Sequence, residues 1–229
     1  MSEPTAIAVR RFETLAELNA ALIQRLEAAL TSVATGGAAV MLSGGRTPMQ
    51  AYRELASHSP QPAPHLSVLF SDDRYVQSTS EASNYHQSLP LINALALPEA
   101  SVLRVRTELP LEDAAADYER RIDKLLLAGV RFRLGLLGLG ADGHTASLFS
   151  SQDIERARGH RAIAVNRPDG MQAVSVSPEV LAHFSDLIFV VAGKDKHDAV
   201  QSLINRSPAL TAFLAIQSRA TIDLWLADT

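Results

Sequence analysis

The segment GLGADGHTASLF, from Gly138 to Phe149, holds the residues best suited to chemistry in this sequence. It follows an apolar run that predicts a buried strand, and it combines glycines with an aspartate and a histidine. His144 is a candidate general base or acid, because the pKa of an unperturbed histidine lies near neutrality. Asp142 is close enough in sequence to shape the loop or to orient that histidine. A lone histidine is usually structural, but one in a glycine-rich turn at a strand end favours a functional role.

The same segment fits the spacing G-x-G-x-x-G, which by itself is a weak signal for dinucleotide binding. A dinucleotide-binding fold needs an acidic residue at the end of the next strand, roughly 20 residues further on. Here the next predicted strand, 162–165, is followed by Asn166 and Arg167. The phosphate-binding pattern G-x-x-x-x-G-K-[ST] does not occur either. A dinucleotide-dependent oxidoreductase is therefore disfavoured.

The segment SGGRTP, residues 43–48, follows the first strongly apolar run. Gly44 and Gly45 allow backbone N–H groups to approach a ligand closely. A helix predicted to begin at Thr47 adds the positive end of its dipole, and this combination suits an anion such as phosphate. A tight strand-to-helix turn without a ligand is an equally good interpretation of the segment taken alone.

Charged residues follow two further predicted strands. In SDDRYV, residues 71–76, Arg74 could clamp a phosphate or carboxylate and Asp72 could act as a carboxylate partner or base. That segment taken alone fits a solvated loop better. In AGKDKHDAV, residues 192–200, either Lys194 or Lys196 could neutralise a phosphate. A lysine is unfavourable at the start of a helix, which favours a functional role slightly.

The elements that must position these segments follow from the alternation of short apolar runs with longer helical patterns. This alternation predicts one α/β domain over residues 1–229, with a doubly wound, mostly parallel sheet and helices on both faces. Ligands of such sheets bind beyond the carboxyl ends of the strands, where the segments above lie. A first helix should start at Thr14 with Glu17 completing a capping box, and a second at Thr47 with Pro48 first and Gln50 third. A long helix is predicted over 111–128, and strands over 38–42, 66–70, 102–105, 132–137, 162–165, 174–176, 187–191 and 222–225.

The composition excludes several classes of protein. The chain has 229 residues, 47% of them hydrophobic, a formal net charge of −4 and no cysteine. Disulfides and thiolate metal sites are therefore excluded, and neither a nucleic-acid groove nor a membrane surface is indicated. The N-terminus lacks the apolar region of a secretory signal, so a cytoplasmic protein is expected. The remaining histidines show no ligand spacing and predict no metal; they include His58, His65, His160 and His183.

Taken together, these motifs resemble the 6-phosphogluconolactonase family, which is more distantly related to the glucosamine-6-phosphate deaminases. The matching motifs run in family order from about Val40 to Val200. They are SGGRTP, SDDRYV, SNYH at 83–86, GLGADGHTASLF and AGKDKHDAV. The block containing DGHTASLF is highly specific, and each of the others is moderately so.

The resemblance implies a Rossmann-like fold of the sugar-phosphate isomerase and lactonase type. It also implies hydrolysis of 6-phospho-D-glucono-1,5-lactone to 6-phospho-D-gluconate in the oxidative pentose phosphate pathway, without a cofactor or metal. The expected partner is a small sugar phosphate, and the expected state is a monomer or weak homo-oligomer. The implied catalytic residues are His144, Asp142 and Asp72. The implied substrate- or phosphate-binding residues are Ser43, Gly44, Gly45, Thr47, Arg74, Asn84 and Lys196.

The chain departs from the family pattern at three places. Asp73 stands where the family often has glutamate, and Ser150 where it usually has proline. The family also often has an arginine near Ala173, and this chain has none there. Arg167, from the preceding loop, is the candidate to replace it.

Two other functions are each matched by part of the sequence. The deaminases have a block resembling GHIAFNEP, with a glutamate where this chain has Phe149, which cannot act as an acid or base. A sugar-phosphate-sensing regulatory domain would need the phosphate site without His144, and usually a fused DNA-binding segment, which is not apparent before Ala38. The lactonase hypothesis requires His144 to lie on the same side of the sheet as Arg74 and the Ser43 turn.

Overall fold

The computed structural model describes residues 5–227, and within them the central feature is a seven-stranded, entirely parallel sheet. Its strands in chain order are β1 (Ala6–Phe12), β2 (Ala38–Leu42), β3 (Leu66–Phe70), β5 (Val102–Leu103), β6 (Arg131–Leu137), β9 (Asp186–Ala192) and β10 (Thr221–Ala227). Across the sheet the order is β1-β10-β9-β6-β2-β3-β5. Every one of these strands after β1 was expected from the sequence, although β5 is shorter than the predicted 102–105.

A second, three-stranded antiparallel sheet lies within the same described range. It contains β4 (Asp72–Arg74), β7 (Ala162–Asn166) and β8 (Gln172–Val176), in the order β4-β8-β7. The sequence predicted strands at 162–165 and 174–176 within one mostly parallel sheet, whereas the structure pairs them in this separate sheet. The connection between them, residues 167–171, is too short for a crossover helix, so the two strands can only pair antiparallel.

Helices cover both faces of the parallel sheet, as predicted for a doubly wound fold. The helices of the described residues are α1 (Leu15–Thr31), α2 (Arg46–Ser57), α3 (Asn84–Leu95), α4 (Leu111–Leu127), α5 (Ser151–Arg156), α6 (Pro178–His183), α7 (His197–Ile204) and α8 (Thr211–Ile216). Of the parts of the chain that the structure describes, none forms a helix long and apolar enough to cross a membrane.

Alternation of side chains along the strands divides the hydrophobic interior into two cores. On β2, Val40 faces the core beneath α1, α2 and α3, whereas Met41 faces the core beneath α4 to α8. The second core also contains the inner side chains of the antiparallel sheet, such as Val174. Because both faces of central strands such as β2 and β3 are buried, these strands read as continuous apolar runs in the sequence.

The predicted helix starts were only partly right. Thr14 caps α1, since its side chain accepts a hydrogen bond from the backbone N of Glu17 at 3.1 Å. The Glu17 carboxylate, however, accepts from the backbone N of Glu13, so the reciprocal half of the predicted capping box is missing. The second helix starts two residues earlier than expected, with Gly45 rather than Thr47 at the cap. Gly45 has φ 111°, a conformation that glycine adopts readily.

Candidate active site

The candidate active site is a cleft of about 290 Å³ at the carboxyl edge of the parallel sheet. It lies beyond the ends of β9, β6, β2 and β3, which are consecutive in the sheet. The chain proceeds from β2 to β3 on one side, and β6 lies on the other side of β2, so the cleft is at a topological switch point. Most of the predicted site residues line it, namely Ser43, Gly44, Gly45, Asp72, Arg74, Asn84, His144, Arg167 and Lys196.

His144 and Asp142 form a hydrogen-bonded pair at the end of β6. The Nδ1 atom of His144 lies 2.5 Å from Oδ1 of Asp142, and the backbone N of His144 lies 3.3 Å from the same oxygen. Partial burial tends to raise the pKa of Asp142, but the hydrogen bond and charge of His144 outweigh burial and lower the pKa below its ordinary value. An ionised Asp142 favours the tautomer with the proton on Nδ1, which leaves Nε2 as the basic nitrogen.

A glycine is required where the loop turns beneath this pair. A Cβ atom added to Gly140 would lie 2.1 Å from Nδ1 of His144 and 2.3 Å from Oδ1 of Asp142. The backbone N of Gly140 also donates to the carbonyl oxygen of His144 at 2.9 Å. Gly140 therefore gives the histidine–aspartate pair the room that a side chain would occupy.

The ring of Phe149 packs on the other side of His144. The two ring centroids are 4.3 Å apart, with an interplanar angle of 34°. The same Phe149 ring lies 5.1 Å from the guanidinium carbon of Arg167. The position that holds glutamate in the deaminase motif is thus occupied by an aromatic ring in contact with the histidine.

Asp72 is buried and accepts two hydrogen bonds from serines. Ser71 Oγ donates to its Oδ1 at 2.8 Å, and Ser147 Oγ donates to its Oδ2 at 2.7 Å. Ser147 in turn accepts a hydrogen bond from Nη1 of Arg167 at 3.1 Å. Sequence reasoning did not single out Ser147, which is 75 residues away from Asp72 in the chain and carries no signal of its own.

Three cationic side chains line the cleft. Arg74 donates from Nη1 to the carbonyl oxygen of Ala82 at 2.8 Å, while its buried Nε has no partner among residues 5–227. Arg167 is held by Asp169, with N–O distances of 2.9–3.2 Å. Lys196 is 3.6 Å from Asp195. Arg167 thus reaches the cleft from the turn between β7 and β8, as the sequence suggested for a replacement of the missing arginine.

The turn after β2 presents two further polar groups. The hydroxyl of Tyr52 accepts from the backbone N of Ser43 and donates to its carbonyl oxygen, both at 3.1 Å. The hydroxyl of Ser43 is buried without a partner in the described part of the chain, and so is Oδ1 of Asn84. Since Nδ2 of Asn84 donates to the carbonyl oxygen of Asp72 at 2.9 Å, its free oxygen suits a sugar hydroxyl better than a phosphate.

Thr47 and Lys194 lie outside this cleft. Thr47 lines a neighbouring depression with Arg46 and Gln50, and Lys194 lines another with Arg11 and His197. Of the two lysines that the sequence left open, Lys196 is the one that borders the cleft. Asp142 is not part of the lining either, and it contacts the cleft only through His144.

Comparison with known proteins identifies the family. A family model described as glucosamine-6-phosphate isomerases/6-phosphogluconolactonase matches residues 11–222. The chain belongs to this family. It is 32% identical to a 6-phosphogluconolactonase of Thermotoga maritima over 76% of this chain and 78% of that protein. It is 30% identical to a human 6-phosphogluconolactonase over 89% of this chain and 84% of the relative.

A solved structure agrees with this assignment. The crystal structure of 6-phosphogluconolactonase from Thermotoga maritima superposes with a TM-score of 0.78 at 25% identity, covering 97% of this chain and all of that one. The family description includes glucosamine-6-phosphate isomerases as well as 6-phosphogluconolactonase, so membership of the family does not by itself distinguish these two activities.

Proposed function

We propose that this protein is a 6-phosphogluconolactonase, which hydrolyses 6-phospho-D-glucono-1,5-lactone to 6-phospho-D-gluconate in the oxidative pentose phosphate pathway. One observation carries the proposal: the His144–Asp142 pair faces the same cleft as Arg74, Arg167 and Lys196. The substrate has the matching composition, an activated ester and a phosphate dianion. The relatives named above carry the same activity in their names.

The cationic groups hold the phosphate in this scheme. Arg74 lines the cleft with a guanidinium group, and Lys196 brings an ammonium group to it from the segment after β9. Because Arg167 is fixed by Asp169 and Ser147, it presents its charge in a fixed place. Anchoring the phosphate brings the lactone carbonyl into a constant position relative to His144.

The chemistry is then a general-base hydrolysis. Nε2 of His144 removes a proton from water, whose oxygen bonds to C1 of the lactone. Backbone N–H groups of the 138–143 loop stabilise the oxyanion that forms at the carbonyl oxygen. As the C1–ring oxygen bond breaks, His144 returns the proton to the ring oxygen. Asp142 stabilises the imidazolium between these two transfers.

The alternative family activity, deamination with isomerisation of glucosamine 6-phosphate, is disfavoured by Phe149. Its ring occupies the place beside His144 where the deaminase motif supplies a carboxylate. A phenyl ring cannot transfer the protons that an amino-sugar isomerisation requires. We further infer that the chain works as one domain in the cytoplasm, as a monomer or weak homo-oligomer, without a cofactor.

The test is hydrolysis of freshly made phosphogluconolactone above its spontaneous rate, with glucosamine 6-phosphate as the control substrate. The His144→Ala variant should lower kcat by about 10²–10⁴-fold, the usual contribution of a general base. His160→Ala is the matched control, since that histidine pairs with Glu119 outside the cleft. A His144→Ala enzyme with the wild-type rate would remove the histidine from the mechanism. Release of ammonia from glucosamine 6-phosphate would establish the other activity.

A further inference from the structure

Asp73 is a buried carboxylate that the mechanism does not use. Its side chain is 2% exposed, and it does not line the cleft. It nevertheless accepts four hydrogen bonds. Oδ1 accepts from the backbone N atoms of Arg74 at 2.9 Å and Asn84 at 2.6 Å. Oδ2 accepts from Ser83 Oγ at 3.0 Å and from the backbone N of Tyr85 at 3.2 Å.

Three of these bonds join two elements that are 10–12 residues apart in the chain. One is β4, and the other is the start of α3, where Ser83 is the N-cap and donates its hydroxyl proton to Asp73. Two further bonds cross the same junction. Nδ2 of Asn84 donates to the carbonyl oxygen of Asp72, and Nη1 of Arg74 donates to the carbonyl oxygen of Ala82. The carboxylate of Asp73 is at the centre of this junction.

Arg74 and Asn84, the two residues that flank Asp73 in this junction, both line the cleft, and each has one buried polar atom without a partner in the described part of the chain. Oδ1 of Asn84 and Nε of Arg74 are buried, and neither has a partner within the described residues. Asn84 also lies close against the turn after β2, since a Cβ atom on Gly44 would be 2.2 Å from its Oδ1. A small displacement of α3 would therefore shift Asn84 relative to Gly44, and with it the wall of the cleft that these two residues form.

We propose that Asp73 is a positioning residue, which holds Asn84 and Arg74 in the geometry that binds the sugar phosphate. The proposal rests on the proposed function, because it takes the phosphogluconate skeleton as the ligand. A purely structural role, in which Asp73 only anchors α3, would affect stability and leave ligand affinity unchanged.

Ionisation of the Asp73 carboxyl group is unfavourable in this buried site. Burial is the largest influence and raises its pKa to about 6, although the three hydrogen bonds from residues 83–85 act against burial. Near neutral pH the carboxylate is thus charged in a poorly solvated site beside Asp72. Carboxyl groups whose pKa is shifted by their surroundings are concentrated at functional sites.

The decisive variant is Asp73→Asn, which keeps the size of the side chain but replaces one acceptor oxygen with a donor. We expect the Kd for 6-phosphogluconate, measured by calorimetry, to rise by at least about tenfold, since small misplacements of positioning groups have large effects. In the hydrolysis assay KM should rise by a similar factor, with a smaller change in kcat, because His144 and Asp142 lie on a different loop.

Two serine variants provide a matched comparison that does not depend on the folding of Asp73→Asn. Ser83 and Ser177 are both buried N-caps that accept a backbone hydrogen bond, but only Ser83 also contacts Asp73. Ser83→Ala and Ser177→Ala should lose comparable stability. Only Ser83→Ala should weaken binding of 6-phosphogluconate, by about threefold or more, because the Asp73 carboxylate then loses one of its four hydrogen bonds.

The outcomes separate the two proposals. If the wild type neither binds 6-phosphogluconate nor hydrolyses the lactone, the proposed function fails. If the wild type does both, and a folded Asp73→Asn binds with the wild-type Kd, the positioning role of Asp73 is overturned. Should Asp73→Asn not fold, equal affinities for Ser83→Ala and Ser177→Ala overturn it instead.

Discussion

At the scale of single residues, the absence of a side chain matters as much as the side chains themselves. Gly140 is the position where His144 and Asp142 come closest to the backbone, so their pairing depends on the lack of a Cβ atom there. Both partners would have to move to admit a methyl group. The pair is therefore vulnerable to a substitution that changes neither of its members.

We expect Gly140→Ala to lower kcat for lactone hydrolysis by about 10²-fold, because the added carbon displaces the general base from its productive position. Gly159→Ala is the comparison, since that glycine lies outside the cleft and a Cβ atom there meets no heavy atom within 4 Å, so only the backbone strain from its φ of 78° is added. Steady-state kinetics of the two variants, with circular dichroism to check folding, measures the difference. Equal losses in both variants would contradict the prediction.

Asp73 should also give the stability of the protein a specific dependence on pH. Its pKa of about 6 in the folded protein is above the ordinary 3.8 of an unfolded chain. A group with a raised folded pKa contributes stability that is fully present below the unfolded pKa. That contribution is lost as the pH rises through the folded pKa.

The free energy of unfolding of the wild type relative to Asp73→Asn should therefore fall between about pH 4 and pH 7, by up to about 3 kcal/mol. Asparagine has no charge to lose in this range, so the difference between the two proteins isolates Asp73. Urea unfolding at both pH values measures it. A constant difference across this range would show that burial does not perturb Asp73.

At the scale of elements, the short helix α5 fixes the segment that packs against His144. It is preceded by Phe149, whose ring packs against His144, and it begins with a capping box between Ser150 and Asp153. The Asp153 carboxylate accepts from the backbone N atoms of Phe149 and Ser150, both at 3.0 Å. Ser150 thus fixes the start of the helix by a side-chain hydrogen bond. The proline that the family usually has at this position would fix it by its restricted φ angle instead.

Ser150→Ala should lower the free energy of unfolding by about 1 kcal/mol, the usual loss for an N-cap. Ser151→Ala is the control, because that neighbouring serine is exposed and lies just inside the helix. Urea unfolding at neutral pH compares the two variants with the wild type. Indistinguishable midpoints for both variants would mean that the hydrogen bond of Ser150 contributes nothing.

At the scale of the whole molecule, the cleft draws its residues from both sheets. Ser43 and His144 follow strands of the parallel sheet, whereas Arg74 and Arg167 belong to the antiparallel one. A ligand that contacts both binds only when the two sheets are assembled. Ligand binding should consequently stabilise the folded molecule against unfolding.

We expect 6-phosphogluconate, the reaction product, to raise Tm by roughly 5–10 °C at about 100 times its Kd, from about 2.7 kcal/mol of linked binding energy. Gluconate, which lacks the phosphate, should give a much smaller shift because it cannot engage Arg74, Arg167 or Lys196. Thermal unfolding followed by fluorescence measures both shifts. Equal shifts for the two ligands would contradict a phosphate site in this cleft.

The sequence predicted the strands of the parallel sheet well, apart from β1. Buried parallel strands leave continuous apolar runs, whereas β1 is a largely exposed edge strand with Arg10 and Arg11 in it. The helix α3 has Pro90 in its interior. Because proline is unfavourable inside a helix, helix propensity does not predict this element. The strand β4 is only three residues long and coincides with the charged segment that was interpreted as a loop.

By itself, then, the sequence determined the α/β class and which polar segments would gather at one edge of the sheet. That follows from local periodicity, because the carboxyl ends of parallel strands share an edge. Only the tertiary structure decided which side chains meet there: Lys196 rather than Lys194, Arg167 in place of the missing arginine, and Asp73 beneath Asn84. These outcomes depend on loop conformations and on contacts such as Asp72 with Ser147, 75 residues apart, which no local pattern records.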